Sequence, residues 1–244
     1  MRWRASLAGL LFALAAIGSA VQAADFAPRA FKATYSTALN GMPLGIDLHL
    51  DLASTGAGTW ELALGADSLM MDYEETSRFR WHECSADPLR YRFGFRGFGV
   101  NRTLRLDFDH ATNRASGESR RGPVSFAFPA DTTDELALTY AARCRLLQGT
   151  DQVLTFDVAT TNGMKQLTYR VDGHETVKTP YGKLDTIRIV RVRDADDNRR
   201  TVMWVAPSLS YIMVKMEHTE KLGLRGIMSL RELEGIVPQG AAPR

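Results

Sequence analysis

Apolar and polar side chains alternate along most of this chain, and a period of two predicts strands in which every second residue faces a core. Phe31, Ala33 and Tyr35 share one parity. Asn40-Gly41 supplies the positive φ angles of a tight turn; Leu44, Ile46, Leu48, Leu50 and Leu52 then occupy one face against Asp47, His49 and Asp51. This reads as an antiparallel hairpin with one solvated side. Residues 59–66 repeat the theme through Trp60, Leu62 and Leu64, and residues 90–96 set Tyr91, Phe93 and Phe95 against Arg90, Arg92 and Arg96. Residues 101–108 return antiparallel. Further strands are predicted over 153–160, 165–171, 183–193, 199–206, 211–219 and 224–237, with Asn162-Gly163 as another turn. The total approaches about eleven, enough for a sheet to curl.

One segment departs from that rhythm. Asp131-Thr132-Thr133-Asp134 offers N-capping side chains, after which Ala137, Tyr140, Ala141, Cys144 and Leu147 recur at helical steps until Gly149. A principal helix is predicted over 134–147, its apolar face packed on the sheet. The expected fold is mainly β: a curved antiparallel sheet or incomplete β-barrel with one principal helix packed on it.

The N-terminus carries Arg2 and Arg4, an apolar run over 5–17, then Val21-Gln22-Ala23. This is the pattern of a secretory signal peptide, with cleavage expected after Ala23 and a run too short to span a bilayer. The expected organisation is a cleaved signal over 1–23, a single β-rich domain over 24–237 and a disordered tail over 238–244, with no transmembrane segment in the mature chain. The expected location is the periplasm.

Removing the signal changes the charge. The chain has 30 basic and 28 acidic residues, and loss of Arg2 and Arg4 leaves 28 of each. Polyanion binding needs excess Lys and Arg on one surface, so nucleic acid is not an expected partner. Cys84 and Cys144 are the only cysteines. In an oxidising compartment the expected state of a lone pair is a disulfide, with Cys144 on the helix face reaching Cys84 at a strand end. His82-Glu83-Cys84 is too small a fragment to complete a metal or thiol site.

Catalytic signatures are sparse. His49, His82, His110, His174 and His218 are scattered, with no helical His pair, and neither a Gly-x-Ser-x-Gly elbow nor a phosphate-cradling loop occurs. Asp194 to Asn198 begins like a calcium loop but has Arg199 where glycine is required and Val205 where the bidentate glutamate belongs, which favours a hairpin turn. Asn101-Arg102-Thr103 matches a glycosylation triplet too short to be informative. No cofactor or metal is expected, and a non-enzymatic role is favoured over an unrecognised hydrolase, whose groups would converge only in space.

Two stretches carry a resemblance. Glu175 to Leu184, with Thr179-Pro180-Tyr181-Gly182, and Met203 to Tyr211, with Trp204-Val205-Ala206-Pro207, are similar to the C-terminal signature of an exported bacterial family, domain of unknown function 3108. The Tyr35 strand with Asn40-Gly41 and Gly45, the Phe108-Asp109 pair and the segment from Pro129 to Tyr140 fall where that family's weaker motifs fall. Ile212-Met213 departs from the family, which places proline soon after the residue matching Tyr211. The resemblance implies an envelope protein of Gram-negative-type bacteria, with a fold similar to the half-barrels of periplasmic lipoprotein carriers whose concave side holds acyl chains. It implies no catalytic residue.

The residues themselves are compatible with such a trough. Trp60, Met71, Trp81, Phe93, Phe95, Trp204, Tyr211 and Met213 are the candidate ligand contacts, with Met70, Phe98 and Met203 beside them in the same pattern. Taken singly, each is ordinary core for an alternating strand. The competing reading is an envelope protein partner gripped by strand addition, for which Arg188, Arg191 and Arg193 amid Ile187, Ile189 and Val190 form either a docking face or a protected edge.

Overall fold

The computed structural model describes residues 26–68, 71–97, 99–149 and 152–238. The expected signal segment and residues 239–244 of the expected tail lie outside these residues, as do Met70 and Phe98. The first half of the described chain is a run of hairpins: β1 (Phe31–Leu39), β2 (Met42–Gly56), β3 (Thr59–Asp67), β4 (Met71–His82), β5 (Ser85–Gly97), β6 (Val100–Asp109), β7 (Arg114–Ser119) and β8 (Gly122–Ala127). A two-residue strand β9 (Thr133–Asp134) leads into the helix α1 (Leu138–Gln148). A second run follows: β10 (Val153–Thr160), β11 (Gly163–Thr179), β12 (Gly182–Val192), β13 (Arg200–Ala206), β14 (Ile212–Thr219) and β15 (Arg225–Glu234).

All fifteen strands form one sheet in the order β8-β7-β6-β5-β4-β3-β2-β1-β15-β14-β13-β12-β11-β10-β9. Two antiparallel meanders are thus joined through the pairing of β1 with β15, and only β9 with β10 is parallel. The sheet is open and strongly curved, without closing into a barrel. Its two halves still meet across the hollow, where Ser77 of β4 donates its hydroxyl to the carboxylate of Asp134 in β9.

Alternation places Phe31, Ala33, Tyr35, Leu52, Leu62, Phe79, Tyr91 and Leu106 in the buried interior. Leu44 departs from this pattern: it is 49 % exposed. Gly45 adopts φ +65° and the β1–β2 register shifts between Ser36 and Ala38, so a bulge reverses the parity N-terminal to Ile46. The sheet also has strands that the apolar pattern does not announce. β4 points Tyr73, Glu75, Ser77, Phe79 and Trp81 to one side, and the polar pair in that series interrupts the hydrophobic alternation. β7 and β8 are six residues each and contribute few large apolar side chains.

The helix begins at Leu138, four residues after the position the capping residues indicate. Thr133-Asp134 pairs with Val158-Ala159 instead, and Asp134 Oδ1 accepts the N–H groups of Leu136 at 3.0 Å and Ala137 at 2.8 Å. The capping side chain therefore holds the turn before the helix. At the other end Gly149, at φ 71°, donates its N–H to Leu146 and terminates α1. Cys144 on α1 and Cys84 in the β4–β5 turn stand at disulfide distance, with Cα atoms 5.4 Å apart. Among the described residues no helix is long and apolar enough to cross a membrane.

Candidate functional site

Between α1 and the concave face of the sheet lies a cavity of about 330 Å³. Leu50, Leu62 and Leu64 form one wall from β2 and β3, and Met203, Met213, Met216 and Met228 form the facing wall from β13, β14 and β15. Leu138, Ala142 and Leu146 roof it from the helix. The methionines give one wall unbranched, polarisable side chains that repack around irregular apolar shapes. Thr139 and Glu135 also line the cavity, and both are exposed although they face the hollow.

Charged side chains of both signs line the cavity. Glu75 accepts hydrogen bonds from the hydroxyls of Tyr73 at 2.5 Å and Tyr91 at 2.7 Å. Burial, reinforced by Glu75, pushes both tyrosines well above the ordinary phenol range. Desolvation and Glu75 also raise the pKa of Glu135, against the pull of Lys165 and Arg191. Asp134, fully buried behind them, is pushed up to about 7 by desolvation, opposed by its hydrogen bonds from Ala137, Ser77 and Leu136.

The cationic side chain is Arg143. Its side chain is carried inward by α1 until the residue is only 6 % exposed. Nε and Nη2 donate to the carbonyl of Ser210 at 3.2 and 3.1 Å, and the guanidinium lies over the rings of Tyr140, Phe31 and Phe26 at 4.7, 5.2 and 5.6 Å. Burial lowers its pKa, and its charged form is supported by Tyr140 and Tyr35. The Ser210 carbonyl belongs to a tight corner: Pro207–Leu209 makes one 3-10 turn, Ser210 and Tyr211 follow at φ 53° and 59°, and the Tyr211 N–H returns to Ala206 O at 2.9 Å. Two successive non-glycine residues in the left-handed region cost about 1–2 kcal/mol each, which the arginine contact helps to offset. Tyr35 crosses the same region, donating its hydroxyl to Met213 O at 2.9 Å.

The structure separates the sequence-derived candidates. Tyr211 and Met213 line the cavity, with Met203 beside them. Trp81 is not among the cavity-lining residues: it donates Nε1 to Phe26 O at 3.1 Å and packs against Phe26, Phe79 and Tyr140. Trp60 pairs with Phe79 across β3 and β4 and packs on the core, and Phe93 stands edge-on to Tyr73 with centroids 5.6 Å apart. Met71 and Phe95 are half-buried on β4 and β5 and are not cavity-lining. Trp204 lies on the opposite face from Met203: its Nε1 donates to Glu175 at 2.5 Å and the Lys215 ammonium sits 4.7 Å above its ring. Arg143, Glu75, Glu135, Met216 and Met228 belong to the site without having been singled out by pattern. Met203, Met216 and Met228 are successive cross-strand partners in β13, β14 and β15, a relation that no local stretch of sequence displays.

The segment that begins like a calcium loop is the turn between β12 and β13, where Asp197 accepts from Arg199 Nη2 at 2.6 Å and pairs with Arg193 at 3.3 Å. Among the described residues no group of His, Cys, Asp and Glu side chains is arranged to hold a metal ion.

A helix wrapped by one open, curved antiparallel sheet, with an apolar cavity between them, defines a half-barrel of the cavity-bearing class. The chain belongs to the family described as Protein of unknown function (DUF3108), whose sequence profile matches residues 57–229. Comparison with curated proteins yields no match. Among solved structures, the chain is similar to a β-barrel-like protein of domain of unknown function DUF1849 from Brucella abortus. The TM-score is 0.54 at 10 % identity, covering 85 % of this chain and 98 % of the other. That likeness concerns the fold alone. A DUF1329 family protein from Desulfovibrio piger overlaps 90 % of this chain and 89 % of its own, at 10 % identity and a TM-score of 0.31, too low to bear on the fold.

Proposed function

We propose that this protein is a non-catalytic binder of an apolar, lipid-like envelope ligand, working in the periplasm as a single domain over residues 24–237 after cleavage behind Ala23. The observation that supports this most directly is the cavity of about 330 Å³, walled by leucines on one side and methionines on the other. An apolar space of this size is within the range of small-molecule sites, roughly 300–1,000 Å³, and loses little by exchanging water for hydrocarbon.

The test is extraction of the purified mature protein followed by mass spectrometry of the extract, together with titration by the uncharged dye Nile red. Co-purifying lipid or a saturable rise in dye fluorescence is the expected result. Native protein that yields no lipid and binds no dye overturns the reading.

A further inference from the structure

The cavity is greasy along its walls but holds one cation whose hydrogen-bonding capacity is incompletely used. Arg143 has a buried Nη1 with no hydrogen-bond partner, while Nε and Nη2 are both directed to Ser210 O. Among the described residues no carboxylate pairs with it. Arg193, whose side chain is also largely buried, differs: its Nη1 has Asp197 at 3.3 Å. A guanidinium taken out of water without a counter-ion is strongly disfavoured, and a carbonyl and three aromatic faces return only part of that loss.

We infer that Arg143 is the head-group site for a single-chain carboxylate amphiphile, a fatty-acid-like ligand whose acyl chain occupies the cavity between Leu62, Leu64, Met203 and Met213. The inference rests on the lipid-binding reading above and adds to it the charge and the number of chains. A carboxylate is a monoanion that the remaining guanidinium nitrogen, Nη1, can serve through a charge-assisted hydrogen bond while neutralising the uncompensated charge. The cavity lies near the lower end of the small-molecule range, room for one chain rather than two or three. Glu75 and Glu135 line the same cavity and disfavour an anionic head beside them, leaving it to the arginine.

The experiment uses the mature chain loaded with Nile red and displaced in turn by dodecanoate and by dodecanol, which share a chain and differ in head group. Dodecanoate should displace the dye at about tenfold lower concentration, the worth of one charge-assisted hydrogen bond. In Arg143→Met that advantage should vanish, the acid and the alcohol then displacing the dye at the same concentration. Equal displacement by acid and alcohol in the unaltered protein, with the dye bound, overturns the inference and leaves the lipid-binding reading standing. Arg143→Met that still prefers the acid overturns it as well. Absence of dye binding in the unaltered protein removes both. The acid-versus-alcohol comparison needs no variant, so it decides the matter even if Arg143→Met does not fold.

Discussion

Arg143 in the middle of α1 donates two hydrogen bonds, at 3.2 and 3.1 Å, to the carbonyl of Ser210, which lies 67 residues further along the chain. The contact ties the helix inside the hollow to the corner between β13 and β14, and Tyr211 and Met213 emerge from that corner into the cavity. One arginine thus sets the position of the roof relative to one wall. Arg143→Ala should lower stability by about 2 kcal/mol or more, because it strands a buried carbonyl and opens a void between Phe26, Phe31 and Tyr140. Arg143→Met should cost less, since an apolar chain of similar length fills the same space and removes a desolvated charge. Urea unfolding of the two variants measures the difference.

Asp134 makes stability depend on pH in an unusual direction. Its native pKa of about 7 lies above the ordinary carboxylate range near 4, so between these values the native state holds a proton that the unfolded chain releases. This contribution is complete below about pH 4, falls as pH rises through 7, and is flat above. At about 1.4 kcal/mol per tenfold change in proton affinity it amounts to a few kcal/mol. Asp134→Asn keeps an oxygen to accept from Leu136 and Ala137 and should flatten the curve. Denaturation midpoints at pH 5 and pH 8 for both proteins test this, and a gap between the curves that does not change with pH would falsify the assignment.

Cys84 and Cys144 enclose a long loop, being 60 residues apart in sequence. In the chain-entropy model a bridge across such a loop removes about 4 kcal/mol from the unfolded state's advantage. Reduction, or Cys84→Ser with Cys144→Ser, should lower the melting temperature well beyond the effect of either alcohol side chain. No change on reduction would mean that the thiols are not joined in the folded protein.

The two faces of β13 and β14 give separable outcomes for ligand binding. Met213→Trp fills cavity volume from the wall and should weaken Nile red binding at least about tenfold, with the circular dichroism of the sheet retained. Trp204→Phe alters the outer face, losing the bond to Glu175, and should cost about 1 kcal/mol of stability with dye binding unchanged. Equal effects on dye binding would show that the dye is not in the hollow.

Much of the sheet was legible because alternation needs only a dozen consecutive residues to show itself: Leu48 to Leu52, Trp60 to Leu64 and Tyr91 to Phe95 all lie in strands. β4 was not legible, because Glu75 and Ser77 occupy inward positions that only their partners, Tyr73, Tyr91 and Asp134, make tolerable. Most of those partners are contributed by other strands, so no local window contains the compensation. Asp134 neither starts nor caps the helix: pairing with β10 claims its backbone, and its carboxylate accepts from Leu136 and Ala137 ahead of an N-terminus that has no side-chain cap. The cavity was the least visible part. Tyr211 and Met213 could be named as large apolar side chains, but Arg143, between Ala142 and Cys144, has the look of a solvated helix position.

The sequence by itself determined the strand periodicity, the single main helix, the isolated cysteine pair and the family signature around Trp204 and Pro207. These are local properties, carried by neighbours along the chain. Only the tertiary structure decided which side of each strand lines a hollow and that a helical arginine faces inward. That outcome depends on β1 meeting β15, which brings two meanders together around α1 and buries whatever the helix presents. Parity says that a strand has two faces; curvature, a property of the whole sheet, says which one encloses the site.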